Sequence, residues 1–375
     1  MKQYNFNKNF TDFRKNLNLA EQDKLSLTDA RKIIRSTIRV TFNEMPEKYF
    51  TDNVQIVLTE FSKGSDKRIK PKFRTQGSFV YNTINKPENP PIQRMDLDDG
   101  VYLPLSYTDN TSDNFQQSAK IVKNIISNCV SDLCNDKGWT LETNHSKCLR
   151  IIINPTSHID LPIYSIPDDQ SNTIQQDSAE FSRMEGLERV LSYNKAEDVL
   201  LAIDNGWIKS DPRDIEDWVK DTKDRFNDFI YYSRYFKAWK DHQWNESKFS
   251  SIMIMAGISQ AMSEIGYSKN DNVALNLSSI ATSLKLYLNN AGINHPVKTE
   301  RMDGDLSNKD EIINRLDDLA MNLFTATKTN NTQLLIDCFG DRFPNDTGNV
   351  LNTGVVAPAI ITSSEPIRQS RSDFI

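Results

Sequence analysis

Asp96 and Asp98 stand two residues apart in Met-Asp-Leu-Asp-Asp-Gly-Val-Tyr (95 to 102), and a glycine-serine turn, Gly77-Ser78, precedes them. Side chains alternate along a strand, so these two carboxylates share a face and can bind the same divalent ions, while Asp99 faces the other way. Gly77 has no Cβ to block a close ligand and Ser78 adds a hydroxyl, so the turn can offer backbone N–H groups and an O–H to phosphate oxygens. With 51 acidic residues in the chain an Asp-x-Asp pair also arises by chance, so the order of turn and pair, and their strand context, carry the argument. Asp160 lies in the apolar run Ile-Asp-Leu-Pro-Ile (159 to 163), where an isolated carboxylate is costly to bury unless a metal or partner compensates it. It is the natural third ligand. His158 shares its face, where a lone histidine more often supports a site or packs than ligates a metal.

Such residues need strands to align them and a second layer to hold the strands. Phe6, Phe10 and Phe13 at near-helical spacing predict a short helix, and Ser26 or Thr28 can cap another that runs to about Met45 with Ala30, Ile34, Ile38 and Phe42 as its apolar stripe. Residues 1–50 therefore read as an N-terminal helical brace. Residues 51–210 read as the core sheet carrying the aspartates. Within it, 51–62 is a strand or a helical turn, which periodicity leaves open. The basic run Lys63, Lys67, Arg68, Lys70, Lys72 and Arg74 is a solvated loop or an edge that steers phosphate. Three prolines at 87, 90 and 91 require a loop. A helix is predicted from about 113 to 134, then strands over 139–142, 149–153 and 158–164, with 154–157 as a hairpin turn. A polar surface loop is expected at 168–178 and a strand, turn and strand over 199–210. Asp211-Pro212 opens a helix expected to run to 242, followed by helices from 249, 273–289 and 309–324, so 211–340 is a helical lobe. Residues 341–375 lose periodicity and read as a disordered tail.

Composition narrows the function. A net charge of −6 argues against a sequence-independent grip on duplex DNA, whereas a small anionic substrate held by metal fits. No apolar run is long enough to span a bilayer, and the N-terminal residues lack a secretory core, so a cytoplasmic protein is expected. Four cysteines without Cys-x-x-Cys spacing and four scattered histidines argue against a zinc site.

Gly77-Ser78, Asp96-x-Asp98 and Asp160 on successive strands ahead of a helical lobe resemble the polymerase-β-type nucleotidyltransferases. Five motifs narrow this: Thr-Gln-Gly-Ser-Phe-x-Tyr-x-Thr (75 to 83), Met-Asp-Leu-Asp-Asp-Gly-x-Tyr-x-Pro (95 to 104), His-Ile-Asp-x-Pro-x-Tyr-x-Ile-Pro (158 to 167), Trp-Ile-x-Ser-Asp-Pro (207 to 212) and Phe-Lys-Ala-Trp-x-Asp (236 to 241). Together they are similar to the bacterial cGAS/DncV-like nucleotidyltransferases, over about residues 28 to 340. The resemblance implies an α+β fold, a polymerase-β-like core with a mainly helical second lobe. It implies synthesis of a cyclic dinucleotide, with cyclic GMP-AMP from ATP and GTP expected, in anti-phage signalling. Asp96, Asp98 and Asp160 would hold two Mg²⁺ ions, or Mn²⁺ in their place. Regulatory or effector proteins of the same defence system would be partners, and no DNA template or membrane is expected.

Carried over from the family's nucleotide site are Gln76, Gly77, Ser78, Tyr81, Arg150, Ser210, Asp211, Lys237, Ser251 and Glu300. Gln76 and Tyr81 contact a base or pack between strands. Ser210 and Asp211 read a base edge, cap the next helix, or both. Lys237 and Ser251 resemble triphosphate contacts, with a solvated helix face as the alternative for the lysine. Beyond His295-Pro296 the chain departs from the family pattern, and it ends in Phe374-Ile375 where conjugated relatives end in a small residue. Two other functions compete, an RNA 3′-end nucleotidyltransferase and a catalytically dead nucleotide-binding regulator. Three like charges kept together argue against the last.

Overall fold

The computed structural model describes residues 3–44, 71–104, 114–166, 199–264 and 272–350. The run 51–62, the bases from Lys63 to Lys70, the polar loop 168–178 and everything past 350 lie outside the described residues.

The N-terminal segment forms β1 (Tyr4–Asn5), α1 (Asn7–Asn16) and α2 (Glu21–Glu44). Helix α2 begins before both expected caps: Thr28 lies inside it, and its hydroxyl donates back to the Lys24 carbonyl at 2.8 Å instead of capping. Its stripe of Ala30, Ile34, Ile38 and Phe42 is buried as the spacing predicts. Strand β2 (Lys72–Gln76) runs into the one-turn helix α3 (Gly77–Val80), and β3 (Met95–Pro104) follows. Next come α4 (Asn114–Lys137), β4 (Thr140–Glu142), β5 (Leu149–Asn154), β6 (Ser157–Leu161) and β7 (Ile163–Ile166). Strands β8 (Leu200–Ile203) and β9 (Gly206–Lys209) close the sheet as a hairpin.

Strand β3 is the axis of this sheet. It pairs antiparallel with β2, which sets Gln76 opposite Asp98, and parallel with β6, which sets Asp96 opposite His158 and Asp98 opposite Asp160. Strand β7 continues β6 along β3 at the same offset, with Val101 opposite Ile163. The strand expected over 158–164 is thus interrupted at Pro162, which has no N–H to donate; its carbonyl still accepts from the Val101 amide at 2.9 Å. Strand β5 folds back antiparallel on β6 and brings Arg150 opposite Asp160.

The helical part comprises α5 (Pro212–Arg225), α6 (Phe229–Gln243), α7 (Ser251–Glu264), α8 (Val273–Leu286) with a π-helical turn over Tyr287–Ala291, α9 (Lys309–Thr329) and α10 (Gln333–Phe339). The single helix expected over 212–242 is two. Phe226 adopts an extended conformation between them and is buried together with Phe229 and Ile230, although their i, i+3, i+4 spacing is that of one face of a continuous helix. The tail begins later than expected: Phe343 is buried and β10 (Asn349–Val350) pairs with β1.

Among the described residues two large hydrophobic cores result, with a smaller cluster of Tyr102, Tyr164, Ile166, Val199 and Leu201. Ile34 and Ile38 of α2 and Ile126 and Val130 of α4 cover Leu97, Val101, Ile159 and Leu161 of the sheet. The second core collects Phe6, Phe10 and Phe13 with the faces of α6 through α10, so the N-terminal brace divides between the two. Each of these buried phenylalanines contributes about 1.5–3 kcal/mol. Among the described residues no helix is long and apolar enough to cross a membrane.

Candidate active site

Alternation along β3 leaves Asp96 and Asp98 half-buried on one face and Asp99 fully buried on the other. Asp99 is claimed from behind by Arg35 of α2, whose Nε donates at 2.7 Å and whose Nη2 bonds the second oxygen. Thr75 joins the same group, donating to Asp99 at 3.2 Å and accepting from Arg31 at 2.6 Å.

Gly77 sits at φ +71°, and a Cβ there would stand 1.9 Å from Asp98 Oδ2. The turn and the carboxylate are therefore in direct apposition. Asp98 is held well above the usual carboxylate range, first by burial and then by the charges of Asp96 and Asp160. Asp96 lies below that range: burial opposes its charge, but the His158 ring beside it and the charges of Arg150 and Lys237 together outweigh burial. His158 Nε2 is 3.1 Å from Asp96 Oδ1 and 3.8 Å from Asp160 Oδ1. One donor atom from each of Asp96, His158 and Asp160 falls within 4.8 Å of the others. Asp96 Oδ1 and both His158 nitrogens are buried without a hydrogen-bond partner. Clustered carboxylates with an orphaned oxygen and orphaned imidazole nitrogens fit a divalent cation.

The other expected residues divide. Arg150 is turned onto Asp160, donating from Nε at 2.7 Å and from Nη2 at 2.8 Å, and these bonds raise its own pKa. Lys237 of α6 is buried, not on a solvated face; its ammonium donates to the Thr83 carbonyl at 2.7 Å, and burial lowers its pKa to about 8. Its charge acts on both Asp96 and Asp98. Tyr81 packs half-buried against the helical core, with its pKa raised by burial and by the charges of Glu216 and Asp98.

Gln76 makes interior contacts in place of an open base site. Its amide nitrogen donates to the Tyr164 hydroxyl at 2.9 Å, and its oxygen accepts from Tyr102 at 3.4 Å. Asp211 caps α5, accepting from the Arg213 amide at 2.9 Å and from its guanidinium at 2.6 Å, and the Ser210 amide donates to Val199 at 3.0 Å. Ser78 is half-exposed in the first turn of α3 and its carbonyl accepts from the Thr83 amide at 3.0 Å. Ser251 opens α7, while the capping hydroxyl is that of Ser250, which accepts from the Met253 amide at 3.2 Å. Glu300 is exposed in a turn, 3.7 Å from Lys298. His158 is the residue whose place at the cluster the sequence undervalued. Its register opposite Asp96 depends on parallel pairing across a long connection.

A glycine turn pressed against one of two same-face aspartates, a third aspartate on the parallel neighbour and a helical lobe beyond define a nucleotidyltransferase of polymerase-β-like fold. Residues 71–164 match the family described as cyclic GMP-AMP synthase DncV-like, nucleotidyltransferase domain, and residues 228–352 match cyclic GMP-AMP synthase, C-terminal domain. The two matches together take in more than half of the chain, which belongs to the DncV-like nucleotidyltransferases. A cyclic GMP-AMP synthase of Escherichia coli (strain TW11681) is 29% identical over 62% of this chain and 59% of its own length, so the chain spans less than two thirds of that relative. The di-nucleotide cyclase of Vibrio cholerae in complex with GTP and 5MTHFGLU2 superposes with a TM-score of 0.75 at 26% identity, covering 92% of this chain and 98% of that one. The same enzyme in complex with the linear intermediate 5′ pppA(3′,5′)pG gives a TM-score of 0.72 at 25% identity over 92% and 98% of the two chains.

Proposed function

We propose that this chain is a divalent-metal-dependent synthase that joins ATP and GTP into cyclic GMP-AMP, a second messenger of anti-phage signalling. The observation that carries this reading is the apposition of Gly77 and Asp98, which leaves no room for a side chain between a phosphate-binding turn and a metal-binding carboxylate. Relatives named as cyclic GMP-AMP synthases support the product.

Asp96, Asp98 and Asp160 would hold Mg²⁺ or Mn²⁺. Bound there, such ions lower the pKa of a ribose hydroxyl and neutralise the triphosphate. The chain's own groups do the rest. The N–H groups at Gly77 and Ser78 would receive the phosphate oxygens, and Asp160 would sit nearest the attacking hydroxyl and draw its proton away. Lys237 adds positive charge on the helical side. The hydroxyl oxygen bonds to the α-phosphorus of the second triphosphate as the bond to the β-phosphate breaks, and pyrophosphate leaves. A second transfer of the same kind closes the ring with a second pyrophosphate. Arg150 holds Asp160 by a planar two-point contact that fixes the carboxylate's orientation.

Incubation with each ribonucleoside triphosphate singly and in pairs, with Mg²⁺ or Mn²⁺, followed by phosphatase and mass spectrometry, tests this. A phosphatase-resistant product at the mass of cyclic GMP-AMP, formed only when ATP and GTP are both present, is expected. Linear, primer-dependent products would replace this reading with RNA tailing, and nucleotide binding with no product of either kind would indicate a regulator.

A further inference from the structure

The structure points to His158 as a ligand to one of the divalent ions, and we propose that its imidazole makes the cluster favour a first-row transition ion such as Mn²⁺ over Mg²⁺. The inference rests on the reading of Asp96, Asp98 and Asp160 as a metal-binding set.

Three observations carry it. The first is backbone register: parallel pairing of β3 with β6 sets His158 directly opposite Asp96, with Asp160 two residues further on the same face. The second is burial without a partner. The His158 side chain is 9% exposed, and neither ring nitrogen has a hydrogen bond. A buried polar group left in that condition loses its hydration without return, unless a ligand supplies it. The third is spacing. Two oxygen or nitrogen donors about 2.1 Å from one ion and at right angles around it stand about 3 Å apart. His158 Nε2 and Asp96 Oδ1 are 3.1 Å apart, and Asp160 Oδ1 is 3.8 Å from the same nitrogen. Arg150 engages each Asp160 oxygen once, and a carboxylate oxygen has a further lone pair to give.

The chemical consequence is ion choice. Mg²⁺ prefers a shell of hard oxygen atoms and keeps its waters, whereas first-row transition ions accept imidazole readily. A site of three carboxylates alone would not discriminate in this way.

The test reads binding and coordination, not turnover. Mn²⁺ is titrated into metal-free enzyme while the free-ion EPR signal is followed, Mg²⁺ is measured by competition, and electron spin-echo modulation reports nitrogen coupled to bound Mn²⁺. The wild-type chain is expected to bind Mn²⁺ at least tenfold more tightly than Mg²⁺, with a nitrogen modulation. His158→Asn is expected to lose that modulation and at least tenfold in Mn²⁺ affinity, with Mg²⁺ affinity changed less than threefold. Circular dichroism establishes that the variant folds, and His158→Gln serves if it does not. Mn²⁺ binding that persists without nitrogen modulation in the wild-type chain, yet is lost in Asp96→Asn, overturns the role of His158 and leaves the carboxylate site standing. Equal losses for both ions in His158→Asn also overturn it, because a residue that only positions Asp96 would weaken both. No Mn²⁺ binding by the wild-type chain, with or without GTP, removes the carboxylate reading as well.

Discussion

At Gly77 an alanine would meet two obstacles, a positive φ that costs a side chain about 1–2 kcal/mol and an Asp98 oxygen standing 1.9 Å from the new Cβ. Gly77→Ala is therefore expected to lower unfolding free energy by roughly that amount while turnover falls at least a hundredfold, since the turn can relax only by displacing Asp98, a carboxylate proposed to bind metal. Steady-state kinetics beside urea unfolding measures both, and an active variant would place the phosphate elsewhere. Asp98 makes a prediction in pH. Its folded pKa is raised above its unfolded value, so the folded state holds the extra proton. Stability from this group is complete below the ordinary carboxylate range and declines as pH rises from there toward the folded pKa. In metal-free buffer Asp98→Asn should flatten this decline and be more stable than the wild-type chain at pH 8, yet inactive. Equal urea midpoints for the two proteins at pH 5 and pH 8 would contradict it. The carboxylates were legible because alternation on one strand is a local rule. Packing of Gln76 between strands was one of its two readings, but its hydroxyl partners, Tyr164 and Tyr102, were not legible, since no local pattern announces them. Arg150 could have been read, because a hairpin turning at 154–157 sets it near Asp160.

At the scale of elements, α2 does more than cover the sheet. Arg35 reaches Asp99, one residue from Asp98, and Arg31 reaches Thr75, one residue from Gln76, so one helix grips β2 and β3, two of the strands that carry the site. Asp99 is wholly buried, and removing its partner strands a charge. Arg35→Met is expected to cost about 3–5 kcal/mol in urea unfolding. Arg35→Met with Asp99→Leu should recover most of that, because two apolar groups leave nothing unpaired. If the double variant is stable, its turnover reports how far the ion pair sets the roll of β3, with a tenfold fall in kcat and little change in KM expected. Failure of the second substitution to restore stability would show that the loss does not come from a stranded Asp99 charge, and an Arg35→Met variant as stable as the wild-type chain would show that the helix is held by packing alone. The apolar stripe of α2 was readable from period, and the hairpins from their turn residues. The break between α5 and α6 was not, because Phe226, Phe229 and Ile230 keep the spacing of a single helix face while the backbone leaves helical geometry at Phe226. Propensity yields to packing at such a point.

For the whole molecule, the question is how a sheet core and a helical core behave as one body around a shared site. The segment from Thr83 to Gln93, which leaves the Gly77 turn and returns to β3, is stitched along α6. Lys237 bonds the Thr83 carbonyl. Asn85 donates to the Arg234 carbonyl at 2.8 Å and accepts from its guanidinium at 2.9 Å. Further along, Glu88 meets His242 at 2.7 Å and pairs with Arg342, and the Gln93 amide donates to the Asp241 carbonyl at 2.6 Å. Arg74 of β2 also pairs with Glu216 of α5. These contacts join residues far apart in sequence, so neither composition nor periodicity could reveal them. They place Asp96 and Asp98 under the charge of Lys237, which belongs to the other core. Arg234 is itself buried, so deleting Asn85 leaves a guanidinium N–H without its acceptor at a cost of about 1–3 kcal/mol. Pulse hydrogen exchange across a urea series can follow peptides from β3 and β6 separately from those of α7 and α8. In the wild-type chain both sets should lose protection at one midpoint. In Asn85→Ala with Gln93→Ala the midpoints should part, because the stitching is weakened while each core keeps its own packing. Coincident midpoints in that variant would mean that the cores are coupled through some other contact.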